Sequence, residues 1–379
     1  MRVGILPLVL VALMALLPSV TSAAATAAGR TAAVRQAWSF EAPFEDYTNA
    51  APVAFGQGRV FAAFCTNQSA LVALNATDGP RLWAASRNVS GDGACAFGTA
   101  YDAGRVFVSG ATAVSAFNAS TGAQLWSAPA AQFADGEGIV VGGGLVFILF
   151  PEDAVLAFDA ANGTLRWSFA PDRIMCRQTP AYDATLRRLF LAGTNGSVTA
   201  LDATSGAWLW AAPAGSADYA MMRGLAVACG VVVVPDFAEN RLVGISAANG
   251  SAVWSTGLSS PFAQPLALGA PRCVAIEPSI DHALLALHVS NGSALWADVG
   301  PGKFDGSYAR PCAGDDGAVV WTAGGDVVSA FDARSTGATL GNATAAYNTN
   351  APPKYTTCSP DGTGVFFRAS GVVYAFRRS

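Results

Sequence analysis

Four cations recur at similar places in successive stretches of this 379-residue sequence: Arg177, Arg223, Arg310 and Lys354. Each of them comes shortly before a short apolar segment. Gathered around one opening, these positive charges could hold an anion such as a carboxylate, a phosphate or an acidic peptide. The alternative is that they are separate solvated charges, paired with acidic residues of the same stretches: Asp172, Asp218 and Asp305.

The same stretches are rich in aromatic residues and methionine: Phe133, Tyr219, Met221, Met222, Phe262, Phe304, Tyr308 and Tyr355. Exposed aromatic and methionine side chains next to arginine are typical of protein-binding surfaces. The alternative is that some of them fill the core between repeats. As residues that contact a partner we select Tyr219, Met222, Phe304 and Tyr308.

Groups that could perform catalysis are sparse. The chain has two histidines, His282 and His288, and His288 opens a repeated turn. Four acids fall at equivalent turns, where an aspartate caps the backbone: Asp102, Asp183, Asp316 and Asp361. We therefore name no catalytic residue and no metal ligand. Hydrolysis by carboxylates of a central channel is a weaker alternative.

The ends of the chain and its composition indicate a secreted or lumenal protein. Residues 1–23 combine one arginine, an apolar run and small residues near Ala23, a pattern typical of a signal peptide, followed by a short segment at 24–33. The alternative is an uncleaved anchor helix. The net charge is −4 and no basic run occurs, so nucleic acid is not an expected partner. We expect a monomer without a membrane span after cleavage.

Nine N-x-[ST] sequons predict a glycoprotein if the chain enters the secretory pathway. They begin at Asn67, Asn75, Asn88, Asn118, Asn162, Asn195, Asn249, Asn291 and Asn342. Several of them overlap turns, where Asn-Gly followed by serine or threonine is favoured in any case.

One phrase recurs through the chain. "VLAFDAANGTLRW" (155–167) has counterparts that start at positions 71, 114, 198, 242, 284, 327 and 372. An alternating apolar run predicts a strand, Asp or Asn followed by Gly predicts a turn, and a second strand ends at tryptophan. Two further short strands precede each phrase. Four strands in a period of about 43 residues are typical of a β-propeller blade.

The two ends of the chain complete the count. The last repeat stops after its third strand, and "VRQAWSF" (34–40) supplies a fourth strand with Trp38 in the expected place. We therefore predict an all-β, eight-bladed β-propeller of four-stranded antiparallel blades at 34–379, closed by the N-terminal outer strand joining the C-terminal blade. Tryptophans at the fixed offset are expected to pack on the neighbouring blade: Trp38, Trp83, Trp126, Trp167, Trp210, Trp254 and Trp296.

The blades also place the seven cysteines, none of which forms C-x-x-C. Disulfides are the expected state in a secreted chain. We predict the pairs Cys65–Cys95, Cys229–Cys273 and Cys312–Cys358. Cys176 then remains as a buried, inert thiol, with a redox role as the alternative.

The pattern A-x-[DN]-x-x-x-G-x-x-x-W resembles the tryptophan-docking motif of the PQQ-type, quinoprotein-like β-propeller family. It occurs in the ranges 73–83, 116–126, 157–167 and 200–210, and in degraded form in 244–254 and 286–296. The resemblance implies the propeller fold. The family includes pyrroloquinoline quinone (PQQ) dehydrogenases and non-catalytic scaffolds such as the bacterial outer-membrane assembly lipoprotein BamB.

The dehydrogenases of that family hold quinone and Ca²⁺ in large loops, and no counterpart of those insertions is found here. The resemblance therefore favours a non-catalytic scaffold that binds a protein, glycan or other ligand at the mouth of the central channel, without a cofactor. The alternative is a PQQ- and calcium-dependent dehydrogenase that oxidises an alcohol or sugar.

Overall fold

The chain divides into two compact units, Met1–Thr31 and Ala32–Ser379, and all described residues belong to the second. A computed structural model describes residues 33–42, 52–64, 70–86, 96–110, 112–129, 138–150, 154–170, 179–193, 195–216, 224–258, 267–269, 273–278, 283–299, 309–324, 327–334, 337–345, 355–369 and 371–379. The signal peptide predicted at 1–23 lies outside these residues. Within them, no helix is long and apolar enough to cross a membrane.

The first four blades each consist of four consecutive strands. Blade 1 contains β2 (Ala54–Gly56), β3 (Arg59–Phe64), β4 (Ala70–Asn75) and β5 (Arg81–Ser86). Blade 2 contains β6 (Ala96–Asp102), β7 (Arg105–Gly110), β8 (Ala113–Asn118) and β9 (Gln124–Pro129). Blade 3 contains β10 (Ile139–Gly142), β11 (Leu145–Phe150), β12 (Ala154–Asp159) and β13 (Leu165–Phe169). Blade 4 contains β14 (Ala181–Asp183), β15 (Arg188–Ala192), β16 (Ser197–Asp202) and β17 (Trp208–Pro213).

The next three blades repeat this order, and the last blade takes its outer strand from the N-terminal part of the chain. Blade 5 contains β18 (Ala226–Ala228), β19 (Val231–Asp236), β20 (Arg241–Ser246) and β21 (Ala252–Gly257). Blade 6 contains β22 (Ala267–Gly269), β23 (Val274–Pro278), β24 (Ala283–His288) and β25 (Ala294–Val299). Blade 7 contains β26 (Cys312–Ala313), β27 (Val319–Gly324), β28 (Val327–Asp332) and β29 (Thr339–Thr344). Blade 8 contains β30 (Thr356–Cys358), β31 (Gly364–Ala369), β32 (Val372–Arg378) and β1 (Val34–Glu41).

The blades form a closed ring. Each inner strand lies next to the inner strand of the following blade, and β30 of blade 8 lies next to β2 of blade 1. The order within blade 8 is β1-β32-β31-β30. Strands β1 and β32 pair antiparallel from Val34 opposite Arg378 to Glu41 opposite Val372. The predicted eight-bladed propeller and its closure by the N-terminal strand are both confirmed.

The turn between the third and fourth strands of a blade shows why the repeated phrase needs its Asp and Gly. In blade 3, Oδ1 of Asp159 accepts hydrogen bonds from the backbone N–H groups of Ala161 and Asn162, which fixes the turn. Gly163 has a φ of 75°. A Cβ atom at Gly163 would lie 2.5 Å from the indole of Trp126 in the preceding blade, so only glycine leaves room for that ring.

Each outer strand carries a β-bulge beside its docking position. In blade 3 the register shifts between Ala157 and Phe158, so that Ala157 lies opposite Trp167 and one residue bulges before the tryptophan. A bulge redirects a side chain, and here the indole Nε1 of Trp167 donates to the carbonyl oxygen of Ala203 in blade 4 at 3.0 Å. The tryptophan therefore links its own blade to the next one. The same donor reaches the next blade from Trp38, Trp83, Trp126 and Trp254.

The core lies between facing blades. Phe147 on the second strand of blade 3 packs against Trp167 and against Tyr182 of blade 4, with ring centroids 5.8 and 5.6 Å apart. Phe61 of blade 1 packs in the same way against Trp83 and against Tyr101 of blade 2. Aromatic residues on the inner two strands thus fill the wedge between blades and hold the inner strands in a ring.

Candidate functional site

The strand directions give the propeller two different faces. The hairpins that join first to second and third to fourth strands lie on one face, which we call the turn face. The outer strands end, and the inner strands of the next blades begin, on the opposite face, which we call the connection face. Segments 43–51, 87–95, 130–137, 171–178, 217–223, 259–266, 300–308 and 346–354 join these strand ends.

Most of the predicted binding residues belong to those joining segments. The residues that lie outside the described part of the chain are Arg177, Arg223, Lys354, Tyr219, Met222, Phe304 and Tyr308. The proposed cation ring and partner patch therefore stay predictions. Arg310 is the member of the cation set that the structure describes, and it lies two residues before the inner strand of blade 7.

Arg310 is held where blades 7 and 8 meet at the connection face. It forms an isolated parallel bridge with Tyr355, and its carbonyl oxygen accepts a hydrogen bond of 3.2 Å from the N–H of Thr356 and another from the Thr356 hydroxyl. Burial lowers the pKa of the Arg310 guanidinium below its usual value, because a charged group loses hydration there. The backbone of this cation is thus fixed by the neighbouring blade.

The inner strands of blades 7 and 8 are fastened along their length. Below Arg310, a disulfide joins Cys312 to Cys358 with their Cα atoms 5.6 Å apart, which confirms this predicted pair. At the turn face, the N–H of Asp315 donates to the carbonyl oxygen of Pro360 at 2.7 Å. The two strands are therefore joined near both of their ends and by a covalent bond between them.

These links between blades 7 and 8 compensate for a tryptophan contact that is missing at this junction. In blade 7, Ala330 lies opposite Gly341, where the other blades have a tryptophan opposite a small residue. Trp321, on the second strand of the same blade, is fully buried and donates from Nε1 to the carbonyl oxygen of Gly362 in blade 8 at 2.9 Å. The repeated phrase did not predict this role of Trp321. The missing tryptophan in the seventh phrase was the signal that could have prompted the search.

A second predicted disulfide is present on the turn face. Cys229 and Cys273 lie in the first hairpins of blades 5 and 6, with Cα atoms 5.7 Å apart. The remaining predicted pair, Cys65–Cys95, and the predicted free thiol Cys176 lie outside the described residues. Disulfides between blades are typical of proteins that mature in an oxidising compartment.

A buried arginine fixes the ring where blade 8 meets blade 1. Arg368, only 3% exposed, donates from Nη1 to the carbonyl oxygen of Ala63 at 2.7 Å and lies 4.5 Å above the ring of Phe64. Burial lowers the pKa of Arg368 to about 10. Nearby, the Thr357 hydroxyl donates to the carbonyl oxygen of Val53 at 2.6 Å. Sequence patterns gave no signal for this arginine.

Three of the four acids that were expected to serve turns make the expected turn hydrogen bond. Asp183, Asp316 and Asp361 each accept a backbone N–H two residues ahead, as predicted. Asp236 is buried and pairs with Arg241 at 2.9 Å. Within the described ranges, no group of three His, Cys, Asp or Glu side chains is placed to hold a metal ion.

Comparison with known proteins agrees with this geometry. The model of the family described as "Outer membrane protein assembly factor BamB" matches residues 66–223 and 194–377. No curated protein matches the sequence.

Solved structures show the same fold at low sequence identity. BamB from Moraxella catarrhalis is 17% identical, with a TM-score of 0.68 over 91% of this chain and 99% of that chain. The quinohemoprotein alcohol dehydrogenase ADHIIG from Pseudomonas putida HK5 is 16% identical, with a TM-score of 0.64 over 91% of this chain and 76% of that chain. The C-terminal WD40 domain of Sif2 is 9% identical, with a TM-score of 0.71 over 93% of this chain and 100% of that domain.

Proposed function

This chain belongs to the PQQ-like β-propeller family described as outer membrane protein assembly factor BamB, and from that premise we propose that it is a non-catalytic scaffold that binds a protein partner. The partner contacts the connection face, around the mouth of the channel. Tyr219, Met222, Phe304 and Tyr308 supply apolar contacts, and Arg177, Arg223, Arg310 and Lys354 supply positive charge.

The observation that carries this proposal is the rigid frame beneath the connection face. Arg310 is held by Thr356 of the next blade, and the inner strands behind it are joined by the Cys312–Cys358 disulfide. A side chain on a fixed frame loses less entropy on binding than one on a mobile segment. Blades 7 and 8 thus provide an ordered anchor beside the segments that carry Tyr308 and Lys354.

The distribution of sequons supports the same face. Seven of the eight connection segments contain no N-x-[ST] sequon, the exception being Asn88 in 87–95, whereas five sequons fall in turns on the turn face. A glycan is bulky and keeps partners away from its surroundings. The connection segments other than 87–95 therefore carry no N-glycan of their own.

We further propose that the protein works outside the cytosol, as a secreted or lumenal glycoprotein. The leader-like residues 1–23 and the two inter-blade disulfides support this location.

Affinity capture with matched variants tests the scaffold proposal. The tagged protein is cross-linked in secreting cells and purified beside two variants. One variant replaces Tyr219, Met222, Phe304 and Tyr308 by serine, and the control replaces the exposed rim residues Leu82, Leu125 and Val253 by serine. A partner held by the wild type and the control but lost by the first variant supports the proposal. A partner that the first variant retains at wild-type level contradicts it.

A direct assay addresses the quinoprotein alternative. The purified protein is incubated with PQQ and Ca²⁺, and reduction of an electron-acceptor dye is followed with mixed alcohols and sugars. We expect no reduction above a control lacking protein. Sustained turnover that depends on added PQQ would replace the scaffold by a dehydrogenase.

A further inference from the structure

We propose that asparagines placed directly before a turn glycine carry N-linked glycans. Asparagines that open the turn between the third and fourth strands of a blade do not carry them. The first set is Asn162, Asn195, Asn249 and Asn291, and the second set is Asn75 and Asn118. This inference rests on the proposed passage of the chain through the secretory pathway.

The two sets differ in exposure although their sequons look alike. All four members of the first set are exposed, and both members of the second set are half-buried. Asn162, Asn249 and Asn291 lie in the turns between third and fourth strands of blades 3, 5 and 6, and Asn195 lies in a turn of blade 4 on the connection face. A glycan can therefore extend into solvent from each of these four turns.

Three of the exposed asparagines, Asn195, Asn249 and Asn291, share one hydrogen-bond arrangement, and Asn162 shares its backbone contact by accepting the N–H of Thr164. The side-chain oxygen of Asn249 accepts both the backbone N–H of Ser251 at 3.1 Å and the Ser251 hydroxyl at 2.9 Å. Asn291 and Ser293 repeat this pair of contacts at 3.0 and 2.8 Å. The turn thus engages the amide oxygen and aligns the sequon hydroxyl with the amide, while the glycan attaches through the amide nitrogen.

The turn-opening asparagines are held inside their turn instead. The N–H of Asn118 donates to the carbonyl oxygen of Ala123, its own carbonyl oxygen accepts the N–H of Gly122, and its side-chain oxygen accepts the N–H of Ser120. The Ser120 hydroxyl lies 3.4 Å from the side-chain oxygen of Gln57 in the neighbouring blade, so it is directed away from Asn118.

Blade 3 shows what lies next to the second terminal atom, Oδ2 of an aspartate or Nδ2 of an asparagine, of a side chain that opens this turn. Asp159 occupies the same place as Asn118, and its Oδ2 lies 2.6 Å from Nη2 of Arg166. The Asp159 side chain is only 15% exposed. The side-chain oxygen of Asn118 takes the place of Oδ1 of Asp159, because it accepts the N–H groups of Ser120 and Thr121. Its amide nitrogen therefore takes the place of Oδ2, in a turn where the asparagine is half-buried.

The modification is a transfer that consumes one activated sugar per site. The amide nitrogen forms a bond to the anomeric carbon of a lipid-diphosphate-linked oligosaccharide, loses one proton, and releases the lipid diphosphate as the leaving group. The protein contributes the exposed amide, and the transferase of the secretory pathway supplies the catalysis.

Site-by-site occupancy tests the inference. The full chain is produced in eukaryotic secreting cells with its own leader, and in parallel with residues 1–23 replaced by an unrelated signal peptide. Glycans are removed enzymatically in heavy-oxygen water, which converts each glycosylated asparagine to a labelled aspartate, and mass spectrometry reports the labelled positions. We expect occupancy at least about tenfold higher at Asn162, Asn195, Asn249 and Asn291 than at Asn75 and Asn118. Equal occupancy of the two sets overturns the inference.

The parallel leader separates this inference from the proposed location. If only the protein with the unrelated signal peptide is glycosylated, in the expected pattern, the proposed location fails and the turn rule stands. If that protein carries glycans in another pattern, the turn rule fails whatever the natural leader does.

A sequon moved within one turn provides a matched control. In blade 5, the triple change Ser246→Asn, Ala248→Ser and Asn249→Ala shifts the sequon from the place before Gly250 to the turn-opening place. Both sequons end in serine, and asparagine already opens the turns of blades 1 and 2. We expect occupancy in this turn to fall about tenfold while the unfolding midpoint is kept. Undiminished occupancy at the moved sequon overturns the inference.

Discussion

The indole Nε1 of Trp38 donates a hydrogen bond of 3.0 Å to the carbonyl oxygen of Ala76, which joins the outer strand of the last blade to the first blade. The ring of Trp38 also covers Gly79, where a Cβ atom would lie 2.8 Å from the indole. The same contact that links successive blades therefore closes the circle. Closure places the ends of all eight outer strands and the starts of all eight inner strands on one face, which is the basis of the binding proposal.

Trp38 is expected to control the stability of the closed ring. Trp38→Ala removes a buried indole and should lower the free energy of unfolding by about 3–5 kcal/mol. Trp38→Phe keeps most of the apolar bulk but loses the hydrogen bond, at a cost of about 1 kcal/mol plus some packing. Urea denaturation measures both changes. Trp208→Ala, at a tryptophan that is 59% exposed, is the control, and an equal loss in that variant would contradict the role given to Trp38.

Gly244 stands where most blades have alanine opposite the tryptophan. A Cβ atom here would overlap the indole of Trp254 in the same blade, so Gly244→Ala should lower stability by about 1–3 kcal/mol through overpacking. Gly257→Ala on the outer strand of the same blade is the matched control, because nothing lies within 4 Å of its added Cβ. Thermal unfolding compares the two variants. Similar melting temperatures for both would show that the indole moves aside at little cost.

The two disulfides should differ in their contribution to stability. They close nearly equal sequence separations of 44 and 46 residues, so the entropy that each removes from the unfolded chain is worth about 4 kcal/mol in both cases. The double change Cys312→Ser and Cys358→Ser also weakens the one described junction where no outer-strand tryptophan docks. We expect it to cost more stability than Cys229→Ser with Cys273→Ser. Chemical denaturation measures both losses of stability. The reverse order would contradict the compensating role of the contacts between blades 7 and 8.

Asp202 makes stability depend on acid pH. The Ser205 hydroxyl and backbone N–H groups of the turn donate to the ionised carboxylate and hold the pKa of Asp202 below its usual value of 3.8. A lowered pKa in the folded state contributes stability above the unfolded pKa, and this is lost as pH falls through the folded pKa. Asp202→Asn should therefore lose less stability than the wild type between pH 6 and pH 3, as measured by urea midpoints.

The equivalent turn of blade 2 provides the reciprocal change. Asn118→Asp introduces a carboxylate at the place of Asp202 and should steepen the loss of stability over the same pH range. If neither Asp202→Asn nor Asn118→Asp alters the pH dependence, the turn hydrogen bonds do not favour the charged carboxylate.

The repeat made much of the fold predictable. A fixed offset between Gly and Trp reflects a contact between neighbouring blades, so counting phrases gave the number of blades, and the stray Trp38 gave the closing strand. Equivalent places in the repeat also paired Cys312 with Cys358 and Cys229 with Cys273. In each case the contact is local to adjacent repeats and therefore leaves a periodic trace.

The features that escaped prediction are the ones that break the period. Trp321 reaches the next blade from a second strand rather than from an outer strand. Arg368 donates to the carbonyl oxygen of Ala63 across the closing junction. Arg188 donates to the carbonyl oxygen of Ala247, which is equivalent to the carbonyl that accepts a tryptophan indole in other blades. The contacts of Trp321 and Arg368 each occur at one junction among the described blades. Arginine donation to a docking carbonyl occurs at two, since Arg377 donates to the carbonyl oxygen of Ala76. All of these contacts depend on three-dimensional fit. The connection segments show no repeat in their sequences, so candidate binding residues could be selected only by type and place.

Photo-crosslinking at chosen positions tests most directly whether a partner occupies the connection face. A photoreactive phenylalanine is placed at Tyr219 or Tyr308 in the connection segments, and at Leu125 or Trp208 on the exposed outer rim. After irradiation of secreting cells, we expect the same partner to be cross-linked from Tyr219 and Tyr308 and not from Leu125 or Trp208. A partner cross-linked from the rim positions and absent from both connection positions would contradict the scaffold account.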